Sequence, residues 1–135
     1  MSLILQMDNL QIVATTSTPR VDFCSDGNLE ITGKSIPDAG VDFWLPISNW
    51  FSEYLQSPAS QTIFRLQIDY LNTSSSKEIL HMLYRLNELN ERGFDAVVHW
   101  SFYEMDADMR EVGKDYEHMV KVPFVFHEIT LEPVH

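Results

Sequence analysis

The segment Tyr70-Leu71-Asn72-Thr73-Ser74-Ser75-Ser76-Lys77 sets four aliphatic hydroxyls in a row between an amide and an amine. Hydroxyls of this kind accept phosphoryl groups, and a phosphate ester brings roughly −1.5 to −2 charges and strong acceptor oxygens at neutral pH. The run stands where a strand hands over to a helix. Backbone N–H groups at a helix start have no partner within the helix, and the helix dipole favours an anion there by about 0.3–1 kcal/mol. A phosphoryl group is therefore tolerated locally while it changes the surface, which is the physics of a switch. The plainer use of Ser, Thr and Asn at such a place is to cap the helix. Local chemistry alone leaves both uses open, with Asn72 shaping the turn in either.

The flanking elements position this run. Phe64, Leu66, Ile68 and Tyr70 alternate with Arg65, Gln67 and Asp69, the period of a strand at 62–71 with one buried face. Ile79, Met82, Leu83, Leu86 and Leu89 then recur at helical spacing over about 74–91, and Arg92-Gly93 ends the helix. Ser75 with Glu78 reads as a capping box at or near its start. Upstream, Ile12, Val13, Val21 and Phe23 lie around Thr18-Pro19, and Leu29 and Ile31 follow Asp26-Gly27-Asn28, which reads as two strands joined by a tight turn. Pro37-Asp38-Ala39-Gly40 breaks the pattern. Phe43, Trp44, Ile47, Trp50, Phe51, Tyr54 and Leu55 follow as a helical stripe, a core face rather than a ligand box, with Pro46 in its first turn.

Val98, Trp100 and Phe102 alternate with Val97, His99 and Ser101 in a further strand. Met109, Val112, Tyr116, Met119 and Val120 line one side of an acidic helix over 106–121, which Gly113 weakens and Pro123 stops, before a last strand at 124–129. The expectation is one α/β domain over residues 1–135, frayed at 1–10 and 131–135. Its mixed sheet has about five strands, an N-terminal hairpin and about three helices.

Composition narrows the function. Twenty acidic against nine basic residues give a formal charge of −11, and there is no run of Lys or Arg. Polyanions repel such a surface, so neither nucleic acid nor a lipid membrane is an expected direct partner. Cys24 is the single cysteine, which excludes an intramolecular disulfide, and its neighbours Phe23, Ser25 and Asp26 offer no cation to stabilise a thiolate. The apolar Met1–Leu5 start is short, lacks a basic segment and is followed by Asp8, so no secretory signal is expected, and a cytoplasmic location is.

From about residue 14 to 131 the chain resembles the SiaC-type regulatory phosphoproteins of bacteria, whose fold is similar to the STAS domain of anti-sigma-factor antagonists. The matching words run in order: Ser17-Thr18-Pro19, Gly27 to Pro37, Phe43, Pro46, Trp50 and Tyr54-Leu55, then the central Tyr70 to Lys77. Trp100, Tyr103, Asp106, Asp108-Met109, Glu111, Gly113, Tyr116 and Pro123-Phe124 complete them. The resemblance implies a STAS-like fold and a phosphoacceptor threonine at Thr73. It also implies a dedicated protein kinase, a PPM-type phosphatase, and a GGDEF diguanylate cyclase that the unmodified protein binds and activates. Asn72, Ser74, Ser75, Ser76 and Lys77 are then the expected partner interface, with Ser74 and Ser75 as neighbouring acceptor candidates.

Enzymatic constellations are missing from the sequence: there is no Walker loop, dinucleotide-binding glycine fingerprint or nucleophile elbow, and no cofactor or metal is expected. His99 and His127 could lie on nearby strands and approach each other, although surface or structural histidines are the plainer reading, and Glu104-Met105-Asp106-Ala107-Asp108 lacks an EF-hand pattern and reads as a solvated acidic helix start. Two rival readings stay open: an anti-sigma-factor antagonist acting through the same turn, and a small-molecule or metal-binding domain using those histidines and carboxylates.

Overall fold

Alternating apolar residues build a six-stranded sheet whose spatial order is the chain order. In the computed structural model, which describes residues 7–35 and 42–131, the strands are β1 (Leu10–Ile12), β2 (Arg20–Phe23), β3 (Asn28–Ser35), β4 (Gln61–Leu71), β5 (Asp95–Tyr103) and β6 (Phe124–Ile129). In chain order β1, β2 and β3 pair antiparallel, and β3 to β6 pair in parallel. Parallel neighbours need long crossovers, and three helices supply them: α1 (Trp44–Tyr54), α2 (Thr73–Glu91) and α3 (Ala107–Met119).

Register shows why one face is dry. Phe23 pairs with Leu29, Leu29 with Phe64, Phe64 with Val98, and Leu66 with Trp100, so the apolar halves of four strands share a face. The helices pack on it: Trp50 of α1 meets Phe23, Leu83 and Leu86 of α2 are fully buried, and Trp100 donates to the Met109 carbonyl of α3 at 3.0 Å. The other face carries polar cross-strand pairs such as Gln67 with Tyr103 at 3.1 Å.

The mixed α/β architecture and its three helices are as expected, with six strands in place of about five. The extra strand arises because 11–24 is not one strand but β1 and β2. The Thr15 hydroxyl accepts from the backbone of Ser17 and Thr18 and folds a turn there, which leaves Val13 exposed. The turn before β3 forms at Asp26-Gly27-Asn28 as expected; Gly27 has φ +104°, a left-handed value that favours glycine. Asp8 to Leu10, expected to fray, are tied down instead: the Asp8 carbonyl accepts from Trp50 Nε1 at 2.7 Å, and Leu10 pairs with Phe23. The break at Pro37-Asp38-Ala39-Gly40, residues 1–6 and residues 132–135 lie outside the described residues.

Helix ends bring further corrections. α3 stops at Met119 rather than at 121, because Val120 is already extended, and Pro123 comes too late to be the cause. Met119 faces solvent, whereas Gly113, expected only to weaken the helix, is buried against Trp100 and Phe126. α2 begins one residue earlier than expected, with Asn72 as its cap.

Candidate functional site

The hydroxyl run sits at the C-terminal end of β4, where the regular alternation fails. Gly33 pairs with Ile68 but Lys34 with Tyr70, so Asp69 is an extra residue and the strand bulges. The bulge turns Tyr70 outward, 55% exposed, although its parity with Phe64, Leu66 and Ile68 predicts burial. Asn72 then leaves the strand in an extended conformation, its N–H donating to the Ser35 carbonyl at 2.9 Å. Its side-chain carbonyl accepts from Ser75 N at 3.0 Å and from Ser74 Oγ at 3.2 Å, and its backbone carbonyl from Ser76 N at 3.0 Å. This replaces the expected Ser75–Glu78 capping box: the cap is one side chain three residues earlier.

The four hydroxyls have four different fates. Thr73 opens the helix and is exposed. Ser74 is exposed and leans on Asn72. Ser75 is fully buried. Its oxygen lies 2.7 Å from Ser35 Oγ of β3 and accepts from Trp44 Nε1 of α1 at 3.3 Å. Ser76 is half-buried, its hydroxyl 2.9 Å from the Tyr116 hydroxyl, which also donates to the Ser76 carbonyl at 3.0 Å. Burial pushes the Tyr116 phenol up, against the pull of Ser76, so it stays a protonated donor at neutral pH. Lys77 is exposed one turn beyond Thr73 and on the same helix side.

Five of the six expected residues, Asn72, Thr73, Ser74, Ser76 and Lys77, thus reach the surface wholly or in part. Ser75 is withdrawn from the interface and from the acceptor candidates, since its hydroxyl is consumed inside the fold. Ser35, Trp44 and Tyr116, which support the turn, escape sequence reasoning because they lie 31–40 residues from their partners. The first turn of α2 carries no acidic side chain of its own to compensate the positive end of its dipole.

The other candidates fall elsewhere. On the helix-free sheet face, His99 Nδ1 and His127 Nε2 are 2.7 Å apart, with ring planes 10° apart and centroids at 5.0 Å. Rings in this relation meet nitrogen to nitrogen, sharing one hydrogen bond. Burial, then the charges of His127 and Arg65, lower the His99 pKa from its ordinary value. In the acidic segment, Asp106 caps α3 by accepting from Met109 N at 3.0 Å. Among the described residues no three His, Cys, Asp or Glu side chains are grouped to hold a metal, and no helix is long and apolar enough to cross a membrane. Cys24 donates to Asp22; burial first, then Asp22 and Asp26, push its thiol up.

Comparison with known proteins is informative at this point. Residues 12–129 match the model of the family described as SiaC family regulatory phosphoprotein. An uncharacterized protein of Pseudomonas aeruginosa (strain UCBPP-PA14) is 25% identical over 119 residues, which cover 87% of this chain and 94% of that protein. Among solved structures, SiaC of Pseudomonas aeruginosa superposes with a TM-score of 0.82 at 25% identity, covering 91% of this chain and 100% of that one. A structure of the diguanylate cyclase SiaD in complex with its activator SiaC, from the same organism, contains a match with a TM-score of 0.82 at 24% identity, covering 89% of this chain and 99% of the other.

Proposed function

Because the chain belongs to the SiaC family of regulatory phosphoproteins, we propose that it is a non-enzymatic, cytoplasmic switch whose state is written on Thr73. A cognate kinase transfers the γ-phosphoryl group of ATP to Thr73 Oγ1, with ADP and the hydroxyl proton leaving. A PPM-type phosphatase hydrolyses the ester and restores the hydroxyl. The unmodified protein docks on and activates a diguanylate cyclase, raising cyclic di-GMP. Support for that partner comes from the Pseudomonas aeruginosa relative, which is the activator of SiaD.

The observation that carries this reading is the exposure of Thr73 at the first position of a capped, anchored helix. An anion there faces the positive end of the dipole and Lys77 one turn on, so the phosphate leaves the helix intact and acts by changing the docking surface. Adding charge and bulk at a desolvated contact opposes docking, and a hundredfold loss of affinity needs only about 2.7 kcal/mol.

The test is fragment mass spectrometry after incubation with ATP and the cognate kinase, with binding of a purified diguanylate cyclase measured before and after. Expected are one phosphate on Thr73, none in T73A, and weaker cyclase binding by the modified form. A phosphate equally present in T73A would sink the assignment. Capture of an anti-sigma kinase in place of a cyclase would move the chain to the antagonist reading.

A further inference from the structure

We propose that the buried Ser35–Ser75–Trp44 hydrogen-bond cluster makes Ser75 a positioning residue that selects Thr73 as the acceptor among four adjacent hydroxyls. The inference rests on the reading of Thr73 given above and adds the device behind its selectivity.

Successive helical residues are rotated by about 100°. Pinning Ser75 inward therefore turns Thr73, two positions earlier, about 200° away and out into solvent, while Ser74, also exposed, stands to the side with its hydroxyl donating to Asn72 Oδ1 at 3.2 Å. Two contacts pin Ser75, and they come from different elements: Ser35 Oγ at the end of β3 and Trp44 Nε1 at the start of α1. Ser35 also holds the incoming chain, since its carbonyl accepts from Asn72 N. Ser35 and Ser75 have no measurable exposure, so neither hydroxyl can exchange its partner for water without opening the turn. A second bolt, Ser76 to Tyr116, ties the next residue to α3. A turn held on both sides cannot rewind by one residue, the slip that would place Ser74 where Thr73 stands. Serine and threonine are chemically similar acceptors. The rotation of the helix start therefore makes the choice between them, and long-range contacts set that rotation.

Ser35→Ala tests this without touching the sequence around the acceptor, and Trp44→Phe cuts the second contact in the same way. Far-UV circular dichroism confirms that each variant is folded. Amide hydrogen exchange reads the turn directly. The Ser75 and Ser76 amides, which bond to Asn72, should exchange about tenfold faster in S35A, while amides in the middle of β5 stay protected. Fragment mass spectrometry after kinase treatment reads the selectivity: phosphate confined to Thr73 in the wild type should appear on Ser74 as well in S35A and W44F. Unchanged exchange in both variants, or phosphate still confined to Thr73 in both, would overturn the positioning role. A wild-type chain that takes no phosphate on Thr73 would sink the acceptor reading instead, and the exchange rates alone would then decide whether the cluster sets the turn.

Discussion

Replacing Gly113 by Ala should destabilise the protein, although helix propensity alone argues the opposite. Gly113 lies inside α3, where alanine is favoured by about 0.8–1 kcal/mol. A Cβ at that position, however, would stand 2.5 Å from Cδ1 and Nε1 of Trp100 and 2.9 Å from Cε1 of Phe126. Trp100 cannot step aside: it is fully buried, wedged edge-on against Tyr116, and its N–H is bonded to the carbonyl of Met109, one turn before Gly113 on the same helix. Relief requires lifting α3 off the sheet or breaking that hydrogen bond. Overpacking of this kind costs about 1–3 kcal/mol, and loss of the bond about 0.5–1.5 more. Setting these against the propensity gain leaves a net loss of about 0.5–3.7 kcal/mol, several degrees in Tm for a domain of this size.

Urea unfolding followed by far-UV circular dichroism measures it. The cycle with Trp100→Phe isolates the cause, since the smaller ring makes room and G113A should then cost less. A G113A midpoint equal to or above the wild type would refute the steric account, as would an unchanged cost in the W100F background.

Asn72→Ala removes the cap of α2 and should cost about 1 kcal/mol, read as a lower urea midpoint; an unchanged midpoint would show that Ser35, Trp44 and Tyr116 hold the turn without the cap. His99 should titrate below its ordinary 6.5 in a proton NMR titration, and H127N should raise its pKa only in part, because burial and Arg65 remain. Between the lowered and the ordinary value the unfolded chain binds the extra proton. Stability therefore falls as pH drops through that window, and a His99 pKa at or above 6.5 would contradict the geometry.

Periodicity made most of the fold legible. The alternation through Val98, Trp100 and Phe102 and the helical stripe from Trp44 to Tyr54 appear in space as read, because each pattern has a single period compatible with burying its apolar residues. Errors gather where a local rule met a longer-range partner. Tyr70 follows the strand period but a bulge turns it out, and Ser75 has the look of a capping residue but is claimed by Ser35 and Trp44. Met119 continues the apolar series of α3 but lies at its exposed end.

The amino-acid sequence by itself determined the element types, the dry face of the sheet and the place of the hydroxyl run at a strand-to-helix junction. These depend on residues within a few positions of one another, where side-chain pattern and backbone geometry are directly coupled. Only the tertiary structure decided which hydroxyls face solvent and which are drawn into the fold. That outcome turns on the rotation of one helical turn, which is set by Ser35, Trp44 and Tyr116, residues 31 to 40 positions distant from Ser75 and Ser76. Contacts at such separation leave no mark in local pattern, yet an unmet buried hydroxyl or indole N–H is costly enough to fix the rotation once they form.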